Sequence, residues 1–340
     1  MIQQIISGQN WLRRRWVIFI ALGLLAMAAR VPLAFKVVPD GLADDTYISL
    51  RYAANLARGL GFVYNPGERV WGTTTPLFTL LLAAGGSILG TEHLETIAIV
   101  LTILASLATV LVMAYILYRS SINSIVQAAY LLSLAILPSF VGNSLSGMET
   151  PLVLLLMTLS LAFFSAHRYN LMAIACGLLV LARIDTLIWI AVLALHAFSH
   201  WRRVGFRKQF ASLAFFVVTI APWFAFAAIY FGQVVPQSLL GKAASSAFER
   251  FDLNYVLSFF SVYVPVNLRF WGVLGLIPLA WALGLAGLGA VHLWKHHPSF
   301  RPLIISSSLT ICCSWQLNRP CSIGTLSRGH GRFTCCYFRA

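Results

Sequence analysis

Acidic side chains are what this sequence has least of: 10 Asp and Glu stand among 340 residues, against 24 Lys and Arg. Charged residues of both signs make up only 10% of the chain, whereas a water-soluble domain carries about a quarter. No Asp or Glu follows Asp252. Cysteine is as uneven, with Cys176 alone in the body and Cys312, Cys313, Cys321, Cys335 and Cys336 near the end. This composition excludes a cytosolic enzyme, a secreted disulfide scaffold and a nucleic-acid binder. What is abundant is apolar: 59% of residues are hydrophobic and the mean hydropathy is +0.81, the signature of an integral membrane protein. In such a chain the net charge of +14 reads as basic cytoplasmic loops meeting anionic lipid.

Arg13-Arg14-Arg15 precedes the apolar run 16–29, which puts the N-terminus in the cytoplasm by the positive-inside rule. Ala26-Met27-Ala28 resembles a signal-peptidase site, but the segment reads as a retained first helix. The longest polar stretch follows at 36–75 and holds Asp40, Asp44, Asp45 and Glu68. Apolar runs then recur at 76–90, 94–118, 122–140, 151–166, 171–182, 186–198, 210–231 and 270–293. With the first, that makes about nine hydrophobic segments.

The basic cluster from His200 to Lys208 anchors the cytoplasmic side. Counting from it puts Gly232 to Lys242, Arg183-Ile184-Asp185 and Ser146 to Thr150 outside, with His167-Arg168 inside. One conflict arises, because two spans between residues 76 and 118 would leave Arg119 outside where the count needs it inside. The run 76–90 is short for a span, so it is expected to be re-entrant or to lie against the protein. From Cys312 onward there is neither a helical period nor a spanning apolar run, and no paired C-x-x-C supports a metal knuckle. That end reads as a shifted frame that closes a longer protein early, or as a disordered basic tail. The expected organisation is therefore a cytoplasmic N-terminus and first transmembrane helix (1–35), an external catalytic loop with an amphipathic helix (36–75), a transmembrane bundle (76–311) and an atypical tail (312–340).

From Asp44 to Gly59 the external stretch has helical spacing and a glycine stop. Asp44, Ile48, Arg51, Asn55 and Arg58 recur at steps of three and four, which lines carboxylate and guanidinium groups along one stripe. Ile48, Tyr52 and Leu56 form a neighbouring apolar edge, as in a short helix at a membrane surface. In the plainest account Asp44 or Asp45 caps the helix and the arginines meet headgroups. In the functional account two adjacent carboxylates beside cations form a general base next to an anion site, which suits transfer from a phosphorylated donor.

The stretch Asp44-Asp45-Thr46-Tyr47-Ile48-Ser49-Leu50-Arg51-Tyr52 through Gly59, then Gly61 to Val70 and Thr74-Thr75-Pro76-Leu77, resembles the first external loop of GT-C type membrane glycosyltransferases. Within that superfamily it is most similar to the arabinofuranosyltransferase-like and O-mannosyltransferase-like bacterial members. Three later stretches agree in order: Ser146-Gly147-Met148-Glu149-Thr150-Pro151-Leu152, Leu181-Ala182-Arg183-Ile184-Asp185, and Tyr230 to Ser238 with Lys242. The resemblance runs from about Arg13 to Trp294. Ile184 and Thr186 depart from the family's Arg-Pro-Asp/Glu-Gly pattern, as do Gln233, commonly acidic, and Gln237, commonly Asn.

The resemblance implies an all-α, polytopic membrane helical bundle of the GT-C type with a helical first external loop. It implies an inverting glycosyltransferase of the bacterial plasma membrane, acting at the external or periplasmic face. The sugar would come from a polyprenyl-phosphate donor and pass to a glycan, lipid or protein acceptor. Asp44 is then the candidate base and Asp45 its partner or substitute. Arg51, Arg58, Arg183 and Lys242 are candidates for the donor phosphate. Glu149, Tyr64, Trp71 and Asp185 are candidates for substrate binding. Each has a plain counterpart: Glu149 complements a helix dipole, Tyr64 and Trp71 are interfacial aromatics, and Arg183 and Asp185 pair where apolar surroundings disfavour single charges. His93, His196 and His200 show no ligand spacing, so no metal cluster is expected, although Asp44 and Asp45 can hold a divalent cation. Two other classes fit the composition: a polytopic transporter, which the lack of an internal repeat disfavours, and a catalytically inactive truncated glycosyltransferase.

Overall fold

The computed structural model describes residues 42–120, 124–136, 138–201 and 206–237, together with the isolated positions 21, 30, 291, 294, 295 and 301. Those isolated positions aside, the expected first helix at 16–29, the apolar run at 270–293, Lys242 and the 312–340 tail lie outside the described residues. Within them the chain is all-α, with no strand, as the resemblance implies.

Nine α-helices are described, which we number in chain order. Helix α1, Asp44–Ala57, carries both acids in its first turn, where they complement the positive end of the helix dipole, and it stops at Gly59 with φ 76°. Helix α2, Pro76–Leu89, begins on proline, whose missing N–H is no loss in a first turn. A 3₁₀ turn, Thr91–His93, leads into α3, Leu94–Tyr118. Then come α4, Ser124–Ile136, α5, Pro138–Leu145, α6, Thr150–Ser165, and α7, Tyr169–Ala182. A second 3₁₀ turn, Ile184–Thr186, precedes α8, Leu187–Trp201, and α9, Phe206–Phe231, contains Pro222.

Two of these stretches, Thr91–Tyr118 and Gln209–Phe231, are long and apolar enough to cross a membrane. Helix α2 is different. Its 14 residues rise only about 21 Å against a hydrocarbon core of about 30 Å. It packs along α1, with Phe78 and Leu82 fully buried, a contact that fits either arrangement expected for this run. The chain from Pro76 to Tyr118 therefore contains one helix of spanning length.

The core is built where α3, α6, α7 and α9 pack in sequence, α3 on α6, α6 on α7 and α7 on α9, and its centre includes Leu161, Leu179 and Leu193. Outside that centre, Gln209–Phe231 is largely uncovered, with Leu213, Val218 and Ile229 exposed, as a lipid-facing helix requires. One charge is fixed deep in the bundle. Arg30 is 2% exposed, donates to Ser144 Oγ and to the Ala135 carbonyl at 3.1 Å each, and lies over the Phe140 ring. The stretches expected outside, namely the loop of α1, Ser146 to Thr150 and Arg183 to Asp185, meet at one end of the bundle.

Candidate active site

Asp44 and Asp45 occupy the first two positions of α1 behind Ala43, which holds the cap position with extended backbone. No side chain caps this helix, so the capping account of the two acids does not describe it. Both carboxylates are exposed, and neither takes a hydrogen bond or ion pair among the described residues. The next residue is the anchor. Thr46 is buried and donates from Oγ1 to the Ser146 carbonyl at 3.0 Å, tying the acidic turn to the segment before α6. Gly147 makes that approach possible. Its φ is 69°, and a Cβ there would meet Leu42 Cδ1 at 2.8 Å and Thr46 Cγ2 at 3.2 Å.

Two residues on, Glu149 is 6% exposed and precedes α6. Its Oε1 accepts from Arg183 Nη1 at 2.7 Å. The same guanidinium reaches Asp185, with Nε to Oδ1 at 3.1 Å and Nη2 to Oδ2 at 2.8 Å. Burial opposes the charge on Arg183, but the hydrogen bonds and Coulomb attraction of Asp185, then those of Glu149, outweigh it and raise its pKa above the ordinary value. Arg183, expected at the donor phosphate, is engaged here by carboxylates of its own chain. Its five-donor fork already serves two carboxylates, and the group of three carries one negative charge in sum. Glu149 and Asp185, expected to bind substrate, both hold Arg183 in this arrangement.

The loop after α1 is clamped from two sides. From α1, Asn55 is buried and donates Nδ2 to the Val63 carbonyl at 2.9 Å and the Tyr64 carbonyl at 2.8 Å. The Tyr52 hydroxyl donates to the Val70 carbonyl at 2.7 Å and accepts from Gly72 N–H at 2.9 Å. From α9, the rings of Trp223 and Phe231 meet Trp71 at 5.8 Å each, the latter stacked. Phe62 packs edge-on against Trp223 at 5.1 Å. The Gln237 N–H donates to the Trp71 carbonyl at 3.1 Å, which joins the fourth motif stretch to the first.

Trp71, expected as a platform for a sugar, is 1% exposed with α9 side chains against it, so its large ring packs the loop onto the bundle. Tyr64 is 43% exposed and remains open to a ligand. Arg51 donates Nε to the Tyr64 carbonyl at 3.3 Å, and Arg58 donates to Thr91 Oγ1 at 3.0 Å from Nη2 and 3.3 Å from Nε. Arg69, given no role by sequence reasoning although it stands within the first motif, lies over the Tyr230 ring at 4.7 Å.

Beside α1, between the returning loop and the start of α3, lies a groove of about 460 Å³. Tyr47, Arg51, Tyr64 and Asn65 line one part of it, and Glu92 and Glu95 another. Nothing in the sequence marks the two glutamates, which fall outside the motif stretches. Among the described residues no group of three or more His, Cys, Asp or Glu side chains is arranged to hold a metal ion.

With this geometry in view, the chain is similar to the terminal β-(1→2)-arabinofuranosyltransferase of Mycobacterium tuberculosis. The two are 30% identical over 255 residues, covering 67% of this chain and 39% of that protein. This chain thus spans about two fifths of its relative's length, and the sequence relationship is to a glycosyltransferase. No family model matches the chain, and no solved structure matches it.

Proposed function

We propose that this chain is a membrane glycosyltransferase of the GT-C type that moves a sugar from a polyprenyl-phosphate donor to an acceptor hydroxyl at the outer face of a bacterial plasma membrane. The observation that carries this reading is the linkage of the four motif stretches to one another, Thr46 to Ser146, Glu149 to Arg183 and Trp71 to Gln237, in a structure whose acidic turn keeps both carboxylates exposed and without partners among the described residues. The relative's transfer of an arabinofuranosyl unit supports a sugar as the transferred group.

In the reaction, Asp44 takes the proton of the acceptor hydroxyl as its oxygen bonds to the anomeric carbon. The bond from that carbon to the phosphate oxygen breaks, and the lipid phosphate leaves with the electron pair, inverting the anomeric centre. Asp45 orients Asp44 or exchanges roles with it. Cations are needed at the departing phosphate. Lys242 is retained for this role from the sequence, and Arg69 joins it because it stands exposed beside α9 on the clamped loop; Arg58 lies about 21 Å along α1 from Asp44 and bonds Thr91, out of reach of the same reaction centre.

The test is transfer of a radiolabelled sugar from a polyprenyl-phosphate donor by the full chain in lipid vesicles. Asp44→Asn should lower turnover by about 10²–10⁴-fold, the scale of a lost general base. Retention of full turnover by both Asp44→Asn and Asp45→Asn would sink the assignment. The same assay with and without a chelator reports whether these two acids hold a divalent ion.

A further inference from the structure

The groove beside α1 contains one guanidinium and two carboxylates, and each retains unsatisfied bonding capacity. Among the described residues Arg51 uses only Nε within the protein, so its two terminal nitrogens remain for a ligand. Glu95 is half-buried and takes no hydrogen bond or ion pair among them, while Glu92 lies 3.9 Å from the His93 ring. Tyr47 and Tyr64 present exposed rings at 39% and 43%. Both are held in place: the Tyr47 hydroxyl accepts from Leu42 N–H at 3.2 Å, and Asn55 and Arg51 fix the backbone of Tyr64.

We infer that this groove binds the acceptor as a neutral, polyhydroxylated glycan, and that it is not the seat of the donor phosphate. The inference rests on the reading of Asp44 as the base. Its argument is electrostatic and geometric. Arg51, Glu92 and Glu95, the charged side chains that line the groove, sum to one negative charge, and Arg58 at its Thr91 edge brings the total to zero, so a phosphate entering the groove meets no net attraction despite Arg51. A neutral sugar meets the opposite situation. Its hydroxyls donate to the carboxylates and accept from the guanidinium, and its C–H faces lie against the tyrosine rings.

Position agrees with chemistry. Asp44, Tyr47 and Arg51 follow one stripe of α1, so Asp44 stands about 5 Å along the axis beyond Tyr47 and about 10 Å beyond Arg51. A hydroxyl at the Tyr47 end of a bound glycan therefore arrives at the base. On this assignment Arg51, expected at the phosphate, belongs to the acceptor side.

The test measures binding to the full chain in nanodiscs by saturation-transfer NMR, with an arabinofuranosyl hexasaccharide as the neutral probe and inorganic pyrophosphate as the anionic one. The hexasaccharide should bind and pyrophosphate should not displace it. Tyr64→Ala and Glu95→Gln should each weaken binding by about tenfold, with Tyr64→Phe close to the parent because it keeps the ring. Asp44→Asn should bind the glycan like the parent while transferring sugar about 10²–10⁴-fold more slowly. Absence of hexasaccharide binding, unchanged affinity in Tyr64→Ala and Glu95→Gln, or displacement by pyrophosphate overturns the inference. Failure of the parent reading looks different: Asp44→Asn would keep transferring while Tyr64→Ala and Glu95→Gln still raised the acceptor KM.

Discussion

Arg183 bonds Glu149 at 2.7 Å and Asp185 at 2.8 Å, so one guanidinium joins the start of α6 to the turn after α7. Thr46 is joined to Ser146 three residues before Glu149, and the acidic turn of α1 thus rests on this ion group at one remove. Arg183→Gln should therefore lower thermal stability in detergent by about 2 kcal/mol, the scale of hydrogen bonds to charged groups. It should also lower kcat without raising the donor KM. A raised donor KM with unchanged stability would instead return Arg183 to the phosphate.

Trp71 gives a contrast between shape and polarity. Its indole N–H is buried and has no partner among the described residues, so only the ring packs. Trp71→Phe should stay within about 1 kcal/mol of the parent in an unfolding measurement, whereas Trp71→Ala should cost about 3–5 kcal/mol. Acceptor KM should be unaffected by Trp71→Phe, an outcome that separates Trp71 from the exposed Tyr64.

Tyr52 provides a pH prediction. Burial, ahead of other causes, raises its pKa above the ordinary 10.0, because the phenolate would be desolvated. In the unfolded chain the phenol ionises at about 10, while in the folded chain it stays protonated to higher pH. Its contribution to stability is complete below that value and declines as pH rises from it through the raised folded pKa. Chemical unfolding at pH 8 and pH 11 should show a steeper alkaline loss in the parent than in Tyr52→Phe. At pH 8 the variant should be less stable by about 1–3 kcal/mol, having left the Val70 carbonyl and the Gly72 N–H without their hydroxyl partner.

Thr46 tests whether the acidic turn must be fastened. Thr46→Ser keeps the donor to the Ser146 carbonyl and should retain most of the turnover. Thr46→Val keeps the volume, loses the bond, and should cost about 1 kcal/mol of stability with a clear fall in kcat. Equal turnover in the two variants would show that Asp44 does not depend on this attachment.

Much of the helical layout was legible in the sequence, because apolar runs bounded by glycine and proline carry their own limits. Helix α1 ends at the expected glycine, and α2 begins on the expected proline. The short length of α2 already disfavours a span, and the helix packs on α1. The site was legible only as a list of charges. Spacing places Asp44 and Arg51 on one stripe, but it carries no information on whether Arg183 faces a ligand or two carboxylates from its own chain. It likewise cannot distinguish an aromatic side chain that stacks on a sugar from one that packs a loop, which is how Trp71 and Tyr64 came to be grouped together. Glu92 and Glu95 were invisible for the same reason: their relation to α1 exists only after the chain folds back on itself.

The fastening of Trp71 to Trp223, Phe231 and Gln237 carries a consequence for biogenesis. Trp71 leaves the ribosome long before its three partners, a delay of about ten to thirty seconds at ordinary elongation rates. During that interval the first loop has its acids and its tyrosines but not the wall of α9 against which it sets. The packing of the first loop is thus completed only late in translation, once α9 has been made.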